Sequence, residues 1–212
     1  MTEAEVISWF LSEYETGMER VPNLEAAIRD AQFAFTPDET GNRALVLGMI
    51  GYLISVEMIG KYLQREGYDD PPRTGPEAAT PSKMFRLAIK QFGTRTPKKW
   101  NAPNVLYSLR SSLAHEFSFS SVGLEEGAPS YSCLLTEDRL NMIEPADSSW
   151  DGTLENANLL ETQTVIDVVQ VAKYVEDLVA TLRQAHVAGK VRLANGIAPI
   201  DLVRFGGFSV EV

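Results

Sequence analysis

Asn101-Ala102-Pro103-Asn104-Val105-Leu106-Tyr107-Ser108-Leu109-Arg110-Ser111-Ser112-Leu113-Ala114-His115 is followed, after Glu116, by Phe117-Ser118-Phe119-Ser120-Ser121-Val122. The first part opens with a helix-start signal, asparagine shortly before proline, and carries Leu106, Leu109 and Leu113 at helical spacing. It predicts an amphipathic helix. The second part alternates apolar and polar residues, the period of a strand with one buried face. Gly-rich residues 123–129 then turn the chain, and Tyr131–Leu135 and Leu140–Ile143 read as further short strands. The expected architecture is mainly α, with a small antiparallel β insertion over about 117–145 behind this helix.

The flanking sequence is helical in period. A first helix is predicted from Thr2 to about Glu19, with Val6, Trp9, Phe10, Glu13 and Tyr14 at helical spacing, and a second through Ile28 and Ala31 after Asn23. The strongest pattern runs from Asn42 to about Glu66, through Leu45, Met49, Tyr52, Leu53, Val56, Ile59 and Leu63 to a stop at Gly67. A proline-rich connection follows between Asp69 and Pro81. Thr80-Pro81 then opens a helix that Gly93 ends. A long helix is expected from about Thr162 to Ala188, with Val165, Val168, Val169, Ala172, Val175, Leu178, Val179 and Leu182 facing inward. The tail, about 190–212, is apolar enough to require packing on the body or on a partner chain. One domain over residues 1–212 is expected.

Composition narrows the chemistry. Of 212 residues, 44% are hydrophobic and 23% charged, as in a folded globular protein. Cys133 is the only cysteine, so no internal disulfide or cysteine-rich zinc site can form, and His115 and His186 are the only histidines. No cofactor and no metal site are expected. The acidic start Met1-Thr2-Glu3-Ala4-Glu5 lacks a secretory pattern, and the uncharged run Ala44–Val56 is too short to span a bilayer, so a cytoplasmic protein without membrane association is expected.

The net charge of −10 argues against a nucleic-acid partner until its distribution is considered. From Ala78 to His115 there is no Asp or Glu, while Lys83, Arg86, Lys90, Arg95, Lys98, Lys99 and Arg110 all fall there. That cationic stretch ends at Arg110 and His115. Histidine moves protons near neutral pH, and arginine grips phosphate bidentately. The two residues are about 140° apart around an ideal helix, so they flank a groove without sharing a face. Ser111 lies one turn before His115 on the same face and can orient its imidazole.

Arg110-Ser111-Ser112-Leu113-Ala114-His115 resembles the motif of the HEPN domains: arginine, a polar residue, a short spacer and histidine on a late helix. The resemblance implies an antiparallel helical bundle. It also implies a metal-independent endoribonuclease in which two protomers join their motif helices to form one RNA cleft. His115 would be the acid/base, Arg110 the transition-state stabiliser and Ser111 the orienting residue. Arg95, Lys98 and Lys99 would hold RNA phosphate. Family members of this kind belong to toxin–antitoxin and defence systems, so an antitoxin or other protein partner is implied as well. Ser111 departs from the Asn, Asp or His more usual at that place, and serine is the shorter side chain.

Other readings of the same residues stand beside these. Arg110 and His115 can form a structural pair, the arginine bonded to a neighbouring carboxylate, in a non-catalytic interaction or nucleic-acid-binding scaffold. Glu57 is either a functional carboxylate, or paired, or at the helix edge. Trp100 either packs or stacks on a base, with packing the commoner fate. His186 suits the C-terminal end of a helix dipole, and Cys133 reads as a small buried strand residue.

Overall fold

A computed structural model describes residues 2–11, 15–16, 19–20, 24–41, 43–93, 102–115, 118–121, 129–153, 155–156 and 159–205, with backbone alone for 15–16, 19–20, 115 and 203–205. The protein is mainly α-helical. Its described helices are α1 (Glu3–Leu11), α2 (Leu24–Phe35), α3 (Leu45–Tyr62), α4 (Pro81–Phe92), α5 (Ala102–His115), α6 (Val168–Val187) and α7 (Pro199–Phe205). Small sheets join them. Strands β1 (Glu15–Thr16) and β2 (Glu19–Arg20) pair antiparallel where the sequence predicts the end of the first helix, whose described residues run to Leu11.

The central helix is α3, which packs against α2, α4, α5 and α6. Met49, Tyr52, Leu53, Val56 and Ile59 on it are all within 1% of full burial, as the periodicity predicts. It is the one described helix long and apolar enough to cross a bilayer, and 56% of its 18 residues are buried inside the protein. Gly60 sets how closely its neighbour approaches, because a Cβ there would overlap the Met84 carbonyl of α4. The α4 boundaries agree with the start and stop signals: Thr80 accepts a hydrogen bond from the Lys83 amide at 3.3 Å, Pro81 opens the helix, and Gly93 follows its last residue.

The β insertion differs from expectation in extent and in direction. Strands β4 (Ser120–Ser121), β5 (Tyr131–Thr136), β6 (Ile143–Glu144) and β7 (Gln163–Asp167) form a sheet in the order β4-β5-β7-β6. It is mixed, because β5 and β7 run parallel over five paired positions. Parallel neighbours need a long crossover, here the segment 137–162, and so the insertion reaches Asp167 rather than about 145. The run Thr164-Val165-Ile166 belongs to this strand, and β-branched residues favour that state. The last long helix therefore starts at Val168, where the Asp167 carboxylate caps it by accepting from the Gln170 amide at 2.8 Å. Val169, predicted to face inward, is 41% exposed.

Cys133 and Thr164 are cross-strand neighbours on the face of the sheet turned to the helices. Burial pushes the Cys133 thiol up to about 12. Because the thiolate is the reactive form, maleimide at pH 8 is expected to leave Cys133 unmodified in the folded protein and to label it once urea has unfolded the chain. Mass spectrometry before and after unfolding checks this.

The described part of the tail, 190–205, packs on the body. Strand β8 (Val191–Leu193) pairs antiparallel with β3 (Leu63–Arg65), which ends α3 at Tyr62 rather than near Glu66. Leu202 of α7 is fully buried. Between these strands and the proline-rich connection lies a buried polar network centred on Arg73, whose side chain is fully buried. Its Nε donates to the Gly60 carbonyl at 2.9 Å, Nη1 to the Pro71 carbonyl, and Nη2 to Gln64 Oε1 at 3.4 Å, while Asp70 Oδ1 lies 3.4 Å from Nη1. Gln91 of α4 donates to the same Gln64 oxygen at 2.9 Å and accepts from the Arg65 amide at 2.9 Å. The Arg73 amide itself donates to the Asn195 carbonyl at 2.9 Å, joining the network to the tail.

Candidate functional site

Helix α5 buries Ala102, Val105, Leu106, Leu109 and Leu113, which includes all three leucines of the predicted stripe. That burial fixes the rotation of the helix and turns Tyr107, Arg110 and Ser111 to its half-buried side. Arg110 faces α3. Its Nε lies 2.6 Å from Glu57 Oε2, with 15% of the arginine side chain and 19% of the glutamate side chain exposed. Neither of these two atoms makes an aligned hydrogen bond, so the contact is a close charge pairing. At such low exposure, salt screens it far less than a surface pair.

Tyr107 completes a cluster across three helices. It precedes Arg110 by three residues, the spacing of side-chain neighbours on one helix, and its ring meets Phe85 of α4 edge-on at 5.7 Å between centroids. Burial raises the phenol's pKa, the Glu57 charge raises it further, and Arg110 and Arg86 oppose the rise. Arg86 is exposed on α4, with its Nε donating to the Ser82 carbonyl at 3.2 Å. The cluster thus holds two guanidiniums, one carboxylate and one phenol that stays protonated at neutral pH. In such a set exposed Arg86 can meet an anion, Glu57 holds Arg110, and the Tyr107 phenol can donate a hydrogen bond.

The predicted site residues divide into two groups. Arg110 and Ser111 lie on the half-buried side of α5, and the backbone of His115 forms the last residue of that helix. The His115 side chain and the whole of Arg95, Lys98, Lys99 and Trp100 lie outside the described residues. Ser112, which is 4% exposed, donates its hydroxyl to the Ser108 carbonyl at 3.0 Å and so belongs to the helix itself. Tyr107 was not singled out in the sequence, although its three-residue offset from Arg110 was a visible signal. Glu57 was weighed there as a carboxylate that could be paired, and its partner is Arg110.

The remaining candidates have structural settings. His186 Nε2 is 2.9 Å from the Ser8 hydroxyl, tying the end of α6 to α1. Lys90 lies 3.9 Å from Asp69, both well exposed, a pairing of little energetic weight. Among the described residues no cluster of three or more His, Cys, Asp or Glu gathers in a way that could hold a metal. The fold and cluster thus define a mainly α protein with a mixed four-stranded insertion and an anchored arginine on its fifth helix. No family model, curated protein or solved structure matches the chain.

Proposed function

We propose that the protein is a HEPN-like, metal-independent endoribonuclease acting as a homodimer, with Arg110 and His115 of both chains lining one RNA cleft. The observation that carries the reading is the placement of Arg110: helix α5 holds it one turn from Tyr107 and against Glu57 of α3, at the end of a stretch without any Asp or Glu from Ala78 to His115. In this reading His115 transfers the proton of the ribose 2′-hydroxyl or of the leaving oxygen. Arg110 stabilises the charge that develops on phosphorus-bound oxygens. Glu57, which contacts Arg110 at Nε, orients the guanidinium, and Ser111 orients the imidazole.

A second reading has an observation of its own. The close Glu57 contact offsets the charge of Arg110, as a non-catalytic scaffold that binds a protein or nucleic acid would require for structural reasons alone. The test is cleavage of a mixed single-stranded RNA pool by purified protein in EDTA, with and without Glu57→Gln. The nuclease reading expects cleavage by the wild-type protein and a loss of roughly tenfold, about 1.4 kcal/mol, in the variant, which removes the charge that holds the guanidinium. Absence of cleavage by the wild type, with RNA still bound or not, supports the scaffold.

A further inference from the structure

Residues 116–167 hold eleven Asp and Glu against Arg139 alone, a net charge of −10 that equals the charge of the entire chain. The basic stretch and this acidic segment adjoin in sequence, yet they prepare surfaces for opposite ligands. Between the acidic sheet and α5 the structure has a cavity of about 500 Å³, within the usual range for small-molecule sites. Val105 of α5, Ile143 of β6 and Trp150 form apolar walls, Tyr131 and Thr164 stand on the sheet, and Asp147 is exposed on the segment between β6 and β7.

Three features constrain what fits. Trp150 is 5% exposed and its indole N–H already donates to the Thr153 carbonyl at 2.8 Å, so the ring is a fixed wall. Thr164 is 6% exposed and lines the cavity. A threonine hydroxyl in a cavity wall can accept a hydrogen bond from a ligand donor. Among the described residues of the lining, Asp147 is the only charged one, and none of them carries a cationic side chain to hold a phosphate or carboxylate.

We propose that this cavity binds a small organic ammonium ion, an amine on a compact apolar body, with its charge beside Asp147 and its body against Val105, Ile143 and Trp150. An ammonium group brings three donors and no acceptor, which suits a lining of hydroxyl oxygens and one carboxylate. The apolar walls bind the carbon body through burial. The ligand class follows from the wall chemistry and is independent of any nuclease activity.

Calorimetric titration of the full-length protein tests it, with phenethylamine as the probe, 3-phenylpropionate as its anionic counterpart and adenosine as a neutral polar ligand. The expected result is saturable binding of phenethylamine alone. Asp147→Asn should weaken it about tenfold or more, the scale of a hydrogen bond to a charged group. Asp147 is exposed, so this variant should keep the wild-type melting temperature, and that measurement separates lost binding from lost folding. Ala146→Phe, which adds bulk to the cavity lining, should also abolish binding. The proposal is overturned if phenethylamine fails to saturate the protein at millimolar concentration, if 3-phenylpropionate or adenosine binds as well, or if folded Asp147→Asn protein binds phenethylamine unchanged. Tighter binding of Nα-acetyl-lysine methylamide than of phenethylamine would overturn the assignment to a free small molecule.

Discussion

RNA cleavage in EDTA is expected to fall roughly 10²–10⁴-fold in His115→Ala, the usual contribution of a positioned acid/base group. The helix should survive the change, because His115 is the last residue of α5 and alanine is the best helix former. Far-UV circular dichroism and melting temperature are therefore the controls, and both should match the wild type. Arg110→Lys should also lose cleavage while keeping a charge next to Glu57, since a lysine cannot reproduce the planar fork that pairs with phosphate. Mixing His115→Ala with Arg110→Lys protein provides the sharpest result. If one cleft takes residues from both protomers, mixed dimers recover part of the activity that each variant lacks. If cleavage survives His115→Ala intact, the nuclease mechanism proposed above is wrong even if RNA is bound.

Arg73→Ala is expected to produce the largest loss of stability, about 3–5 kcal/mol, because it leaves the partners of a buried charge without their donor. Asp70, the Gly60 and Pro71 carbonyls and Gln64 all contact that one side chain. For a domain of this size the corresponding fall in melting temperature is roughly 6–20 °C. Calorimetry and urea denaturation both measure it. Burial pulls the guanidinium's pKa down and Asp70 pushes it back up, but arginine stays charged throughout the accessible pH range, so the loss should not depend on pH between 6 and 9, a range that is roughly the neutral one. A loss below about 1 kcal/mol, the scale of a surface ion pair, would show that the network adds little.

The helices were legible where local chemistry decides them. Thr80-Pro81 and Gly93 bound α4 because a cap, a preset φ and a chain stop act within a few residues. The leucine stripe of α5 was equally readable, since a helix with one apolar face must bury that face. The elements that escaped depend on partners far away in sequence. Thr164-Val165-Ile166 runs directly into the apolar pattern of α6, and only pairing with β5 decides that it is a strand. Three-residue strands such as β3 and β8 carry too few positions to show a period of two. The site followed the same rule. Arg110 and Glu57 were both visible as residues of interest, but their pairing depends on how α3 packs against α5, and no local spacing encodes that. The charge of the insertion was present in the residue counts, yet the cavity it surrounds required the sheet order.

The pairing of β3 with β8 has a consequence for the order in which the protein can be made. Leu63 is bonded across the sheet to Leu193, 130 residues further along the chain. During synthesis, α3 and its neighbours leave the ribosome long before the strand that completes this edge. Contacts of such sequence separation slow folding, and unpaired strand edges are the sites at which incomplete chains associate. Nascent chains that stop before residue 191 should therefore expose the β3 edge, and strand β8 acts as the closing element of a body whose helices α1 to α6 are already made.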